Sequence, residues 1–303
     1  MTWVALSLTA ACFQLVRNAL ARRLVGGISP ELTSWSRFAW NLPFSASLVA
    51  VLLMRSEMPT LSPAFFAWCA GSGLSQLLAN VALVSAFRRS TFSEAIALSK
   101  LDVVLGAVIG VMLFSEAPTG LGWAGIAVST TGVLFLNAAR SESADRWRHM
   151  LRLDAGAMLA VLCAALLALT GFLLKEATAE FAALNLRVGS GRFEAAAHTL
   201  FHTSWIEVLI LTVSIGLRRP RDFAQIPQHW RTMLAVGATG FAGSLCWFWA
   251  YSIALVAYVR AVGQMETVLS VALSLWWFRE GGVRRQLPGL AVVTIGVCLV
   301  LLG

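Results

Sequence analysis

Apolar residues run in ten long stretches, separated by short polar punctuation. The pattern predicts membrane helices over residues 3–23, 32–54, 63–87, 91–114 and 119–138. It continues over 154–175, 195–217, 229–252, 255–278 and 286–302. Each stretch is close to the roughly 20 apolar residues that cross a hydrocarbon core. The connections at 88–90, 115–118 and 253–254 are very tight. Residues 139–153 read as a charged linker, and 176–194 as a polar loop containing LNLRVGSGRF. The first stretch lacks a basic leader and carries Gln14, Arg17 and Asn18, so it reads as a retained span and not a signal peptide.

A second pattern overlies the first. Phe114-Ser115-Glu116 recurs 164 positions later as Phe278-Arg279-Glu280. With the same offset, Gly125, Thr130 and Gly132 become Gly289, Thr294 and Gly296, and Val104-Leu105 becomes Val268-Leu269. A duplicated half with an odd number of spans inserts its second copy upside down. The expected fold is therefore an all-α integral membrane protein of ten transmembrane helices, built as two inverted five-helix repeats around a central cavity. The repeats would be 1–139 and 154–303, joined by the linker 140–153.

Composition agrees. Of 303 residues, 58% are hydrophobic and 13% charged, with mean hydropathy +0.76; a soluble domain carries about 25% charge. Net charge is +8 and the pI near 10.1. In a soluble chain that would raise nucleic acid as a partner, but here the arginines sit in short loops, where lipid headgroups and orientation explain them. Fifteen basic residues fall in loops after odd-numbered spans and four in loops after even-numbered ones. The positive-inside rule then places the odd loops in the cytoplasm and both termini outside, in a cell membrane, with a bacterial inner membrane as the expected setting.

Charges inside spans cost at least about 2.5–3.5 kcal/mol each, so each needs a reason. The acids are Glu94, Asp102, Glu207 and Glu266; the bases are Arg17, Arg37, Lys100 and Arg260. Asp102 and Glu266 occupy equivalent repeat positions. Asp102 shares a helix face with Gly106 and Gly110, and Glu266 with Ser270 and Ser274. Burial and mutual repulsion would suit either acid to proton binding. The competing reading is structural ion pairing, Asp102 with Arg17 or Arg37 and Glu266 with Arg260. Lys100, whose equivalent is Gln264, is a candidate counter-ion or anion ligand. Gln14 and Arg17 form a polar patch in the first span, and Arg37 with Glu94 is a candidate gate pair. Trp247 and Tyr251 share a helix face and could stack on a substrate or cation, against packing or an interfacial aromatic belt as the plainer role.

Other chemistry finds little support. The five cysteines stand singly, with no CxxC. His198 and His202 have metal-helix spacing, but Thr199 stands where a zinc protease helix has glutamate. Gly189-Ser190-Gly191 has no His–Asp partners, and no Walker A sequence occurs. No enzyme activity, metal or cofactor is expected.

The duplicated pattern of an apolar span, Glu116 or Glu280, Gly125 or Gly289, then Gly132 or Gly296 resembles the drug/metabolite transporter superfamily, specifically its ten-span EamA-type members. ALVSAFRRSTFSEAIAL and WFWAYSIALVAYVRAV look similar to the tight connections of that family. Many relatives have proline where this chain has Asp102 and Glu266, and relatives are usually described with cytoplasmic termini. The resemblance implies a basket of helices with a central cavity and an exporter or exchanger of small metabolites, such as an amino acid or organic cation. The expected partners are a small-molecule substrate and membrane lipids, in a monomer or homodimer. A non-transporting partner subunit or a lipid-modifying membrane protein is the alternative.

Overall fold

The computed structural model describes residues 1–24, 27–55, 58–87, 89, 92–140, 154–185, 191–276 and 287–303. Every regular element among them is helical: α1 (Thr2–Leu24), α2 (Pro30–Ala39), α3 (Leu42–Leu53), α4 (Pro63–Phe87), α5 (Phe92–Ser99), α6 (Asp102–Leu113) and α7 (Gly120–Arg140), then α8 (Ala155–Leu184), α9 (Arg192–Arg218), α10 (Ile226–Ile253), α11 (Val256–Gly263), α12 (Met265–Trp276) and α13 (Leu287–Leu302), with a 3₁₀ turn at Pro220–Gln225 before α10. Six helical runs are long and apolar enough to cross a membrane: Thr2–Ala21, Pro30–Leu53, Pro63–Ala86, Ala155–Leu184, Arg192–Arg218 and Pro220–Ile253. Shorter apolar helices cover Asp102–Leu113, Gly120–Leu136 and Leu287–Leu302. This is a helical membrane protein.

Helix starts follow local chemistry. Ser29 caps α2, its Oγ accepting from Leu32 N at 3.2 Å, and Pro30 supplies the first helical position, where no amide hydrogen is needed. Thr119 caps α7 through Gly122 N at 3.0 Å, and Asp154 caps α8 through Ala157 N at 2.8 Å. Helix α8 runs on to Leu184, so the expected loop from 176 begins later. Ala177, Thr178 and Phe181 carry a buried face through this stretch, and helix continuation buries them.

Three expected spans are interrupted. The second breaks at Trp40-Asn41, ahead of Pro43, which has no amide hydrogen to donate. The fourth breaks at Lys100-Leu101 and the ninth at Gln264. At Lys100 the ladder tightens, with Leu101 N donating to Leu98 O at 3.1 Å, while Ser99 Oγ turns back on Ile96 O at 2.8 Å. At Gln264 the amide is shared between Arg260 O at 3.2 Å and Ala261 O at 3.1 Å. Mid-helix 3₁₀ turns of this kind often mark functional hinges. Lys100 and Gln264 are related by the offset of 164 residues.

The chain forms two compact units. The first comprises Met1–Leu74 and Leu173–Ile253; the second comprises Ser75–Phe172 and Ala254–Gly303. Each unit therefore draws on both sequence halves. In the first, Leu24, Ile28, Leu32, Ile215, Met233 and Val236 form one core, and Phe65, Cys69, Ala177, Phe181 and Ala195 another. Loops after α1 and α9 join there: Ser29 Oγ donates to Asp222 Oδ2 at 2.6 Å, and Arg219 pairs with Glu31 at 3.4 Å. The segment after α3 joins the C-terminal end of α8, with Thr60 N donating to Asn185 Oδ1 at 2.7 Å and Ser62 Oγ to Glu180 Oε1 at 2.8 Å.

In the second unit, α7 and α13 lie antiparallel in backbone contact at glycines. A Cβ on Gly125 would stand 2.6 Å from Val300 N, and one on Gly132 2.6 Å from Val293 N. A Cβ on Gly289 would meet Leu136 Cγ at 2.7 Å, and one on Gly296 would strike the backbone of Ser129. These contacts exchange under the offset of 164: Ser129–Gly296 becomes Val293–Gly132, and Gly125–Val300 becomes Gly289–Leu136.

Candidate functional site

In the second unit the charges gather around the two helix interruptions. Asp102 lies in the first turn of α6, directly after the break, where the helix dipole favours negative charge. Glu266 lies in the first turn of α12, directly after the equivalent break, and is half-buried. Arg260, on α11, donates from one guanidinium nitrogen to Asp102 Oδ2 and from the other to Leu167 O. Asp102 and Arg260 side chains are each 13% exposed, so the pair is shielded. Gly171 and Gly106 leave room for Arg260: Cβ atoms built there would lie 3.3 Å from its Nε and 4.0 Å from its Cδ.

The expected partner of Asp102 is Arg17 or Arg37; α11 packs on α6, and Arg260 is the partner it meets. Arg260 and Glu266 flank the interruption at Gln264. Lys100 is half-buried in its turn, and with Asp102 and Arg260 it acts electrostatically on Cys163. Gln264 is 3% exposed, with neither end of its amide hydrogen-bonded among the described residues.

The repeat glutamate has a definite task. Ser115 turns the chain after α6 at φ 55°, and Glu116 Oε2 accepts from Val256 N at 2.9 Å, satisfying an amide at the start of α11. Its equivalent, Glu280, lies outside the described residues, as does Ser190.

In the first unit, Trp247 Nε1 donates to Gln14 Oε1 at 3.2 Å, so two sequence candidates meet. Trp247 stacks on Tyr251 with ring centroids 5.9 Å apart, and Tyr251 is buried. Arg17 is buried on the same helix as Gln14 and donates to Asn18 Oδ1 at 3.1 Å. Arg37 interacts electrostatically with Glu207, and the side chain of Glu94, its expected gate partner, lies outside the described residues. Glu207 is 2% exposed, and its Oε1 has no hydrogen-bond partner. Leaving such a group unpaired costs about 1–3 kcal/mol or more.

Several residues of this cluster carry no sequence motif. Asn41 is buried with its Oδ1 unpartnered, Thr203 is buried and hydrogen-bonded to the Cys69 side chain, and the indole nitrogen of Trp40 is sealed without a partner. The one available signal was Trp40-Asn41-Leu42-Pro43, a helix-stop pattern inside an apolar stretch. His198 and His202 are packing residues: His198 stacks on Phe181 at 4.6 Å, and His202 Nδ1 accepts from Trp205 Nε1 at 3.0 Å. No group of three or more metal-ligating His, Cys, Asp or Glu side chains occurs among the described residues.

No family model matches the chain, and no curated protein matches it. Twenty-nine chains of solved structures do match. One, a crystal structure described only as that of a protein, superposes with a TM-score of 0.68 at 18% identity, covering 98% of this chain and 95% of that chain. At that identity the likeness shows the fold alone: this chain has, over essentially its whole length, a helical membrane fold found in a solved protein.

Proposed function

We propose that this chain is a secondary transporter, an exporter or exchanger of a small metabolite such as an amino acid or organic cation, working by alternating access across a cell membrane. In this reading it has ten spans in two inverted five-helix repeats of the EamA type. The observation that carries the proposal is the pair of interrupted helices: α5/α6 and α11/α12 break at positions related by the repeat offset, and each break is followed within one turn by a carboxylate, Asp102 or Glu266. Transporters build substrate and ion sites from discontinuous helices of this kind. The exchange-symmetric contacts of α7 and α13 support the inverted repeat, because a two-fold axis lying between antiparallel equivalent helices produces that pairing.

The coupling candidates are the two carboxylates that follow the breaks, Asp102 and Glu266, with a proton gradient as the driving force. The test is accumulation in proteoliposomes under an imposed pH gradient: Asp102→Asn or Glu266→Gln should abolish gradient-driven accumulation while sparing solute exchange. Accumulation by both single variants and the double variant with wild-type pH dependence would remove the two carboxylates from coupling.

A further inference from the structure

The corner where α9 hands over to α10, in the first unit, is basic. Helix α9 ends at Arg218, the 3₁₀ turn Pro220–Gln225 reverses the chain, and α10 starts at Ile226. The runs Arg192–Arg218 and Pro220–Ile253 are both long and apolar enough to cross a membrane, so the turn between them lies at a membrane surface. Arg218, Arg219, Arg221 and Arg231 are all exposed there. At the opposite end of α9 the charges balance instead: Arg192 is followed by Glu194 and donates to Ser252 O.

The acids of this corner are already engaged. Asp222 Oδ2 accepts from Ser29 Oγ at 2.6 Å, and Glu31 pairs with Arg219 at 3.4 Å. No carboxylate pairs with Arg218, Arg221 or Arg231 among the described residues. Four guanidiniums therefore face two carboxylates, and three of the four have no partner of opposite charge. The turn itself is pinned down. Phe223 meets Trp35 edge-on with ring centroids 5.5 Å apart, and Phe223 and Ile226 pack on the core that holds Leu32 and Met233. With these two side chains inward, Arg221 and Ala224 stay exposed, as do Pro227, Gln228 and Arg231. The last three share one face of α10 at three- and four-residue spacing. At most about 18 Å of helical chain separates Arg221 from Arg231, so the arginines form one patch.

The patch has an apolar border. Leu217, in the last turn of α9, is 82% exposed, and Trp230 is 44% exposed. The Arg231 guanidinium lies over the Trp230 ring, 5.6 Å from its centroid. Tryptophan prefers the headgroup level of a bilayer, and a leucine one residue inside a spanning helix meets acyl chain. Guanidinium matches a phosphate with paired hydrogen bonds. A soluble phosphate would satisfy the arginines and leave Leu217 and Trp230 against water. A phospholipid satisfies both. We propose that this corner is a seat for an anionic phospholipid, its phosphate held by Arg218, Arg221 and Arg231 and its acyl chains lying against Leu217 beside Trp230. The uneven arginine count along the chain bears on orientation; the corner assigns a particular lipid class to a particular place. The proposal rests on the membrane fold and is independent of transport.

The test is lipid retention by the full chain, read by native mass spectrometry after release from phosphatidylcholine nanodiscs doped with phosphatidylglycerol or cardiolipin. Thermal unfolding in detergent with each lipid added gives a second reading. Wild type should retain the anionic lipids in preference to phosphatidylcholine and should unfold at a higher temperature when they are present. Arg218→Gln, Arg221→Gln and Arg231→Gln should each weaken retention about fivefold, the worth of one basic residue at an anionic surface. Arg55→Gln, exposed just beyond α3, removes the same charge elsewhere in the first unit and should leave retention unchanged. Inorganic phosphate, which has the charge and no chains, should neither stabilise the protein nor displace the lipid. The three arginine variants should unfold like wild type in phosphatidylcholine alone, because the side chains removed are exposed and unpaired, so a loss of retention reads the seat and not the fold. Equal retention of anionic lipid and phosphatidylcholine by wild type would overturn the proposal. So would retention that the triple arginine variant leaves unchanged, an Arg55→Gln loss as large as theirs, or stabilisation by inorganic phosphate equal to that by lipid. No flux is read, so these outcomes leave the transporter reading where it stands.

Discussion

Arg260 donates to Asp102 from a helix that begins more than 150 residues later in the chain, with both side chains shielded. The pair ties α11 to α6 just after the α5/α6 interruption. Removing one partner leaves the other charge buried, which costs about 3–5 kcal/mol in such pairs. Arg260→Met and Asp102→Leu should each lower the unfolding temperature in detergent strongly, and the double variant should recover most of the loss. A double variant no more stable than either single one would show that the pair does not act as a unit.

Glu116 caps α11 through the Val256 amide. Glu116→Ala should cost about 0.5–2 kcal/mol, the range seen when capping side chains are removed. Glu116→Gln keeps an oxygen acceptor and should lose less. Thermal unfolding of the two variants side by side checks the order.

The α7–α13 contact leaves no room for a side chain at Gly296, because a Cβ there meets the Ser129 backbone, which cannot rotate away as a side chain can. Gly296→Leu should part the helices and cost at least the roughly 1–3 kcal/mol typical of overpacking. At Gly191, where nothing lies within 4 Å of a Cβ, Gly191→Ala should have little steric effect. Equal stability of Gly296→Leu and wild type would contradict the close approach.

Orientation is testable at two exposed loop positions of the first unit. Arg221 lies beyond α9, beside the Ser29–Asp222 contact, and Met58 lies beyond α3, close to the Thr60–Asn185 contact. The arginine distribution predicts that the first loop is cytoplasmic. In a cysteine-free background, an impermeant thiol reagent applied to intact cells should label Met58→Cys and spare Arg221→Cys. The opposite pattern would invert the protein.

How much of this was legible depends on the kind of signal. Helix positions were, because apolar stretches of membrane length have few other uses. The extension of α8 to Leu184 was not, since Glu176 and Glu180 read as loop until the buried face at Ala177 and Phe181 is seen. The equivalence of Lys100 with Gln264 was plain from the offset, but the helix interruption there was not, because neither position carries proline. Long-range partners were the least legible. Arg260 could have met any acid, and only the packing of α11 on α6 selects Asp102. Asn41 is an ordinary polar residue in sequence, and it matters because burial leaves its Oδ1 unpaired.

Transport is the central claim, and solute flux tests it most directly. Purified protein reconstituted into liposomes, given a mixture of small metabolites with and without an imposed pH gradient, should move at least one solute saturably and faster than protein-free liposomes. Accumulation should rise with the gradient, and unlabelled solute on the far side should drive counterflow. A chain correctly inserted in the bilayer that moves no solute faster than protein-free liposomes, under either condition, would contradict the account.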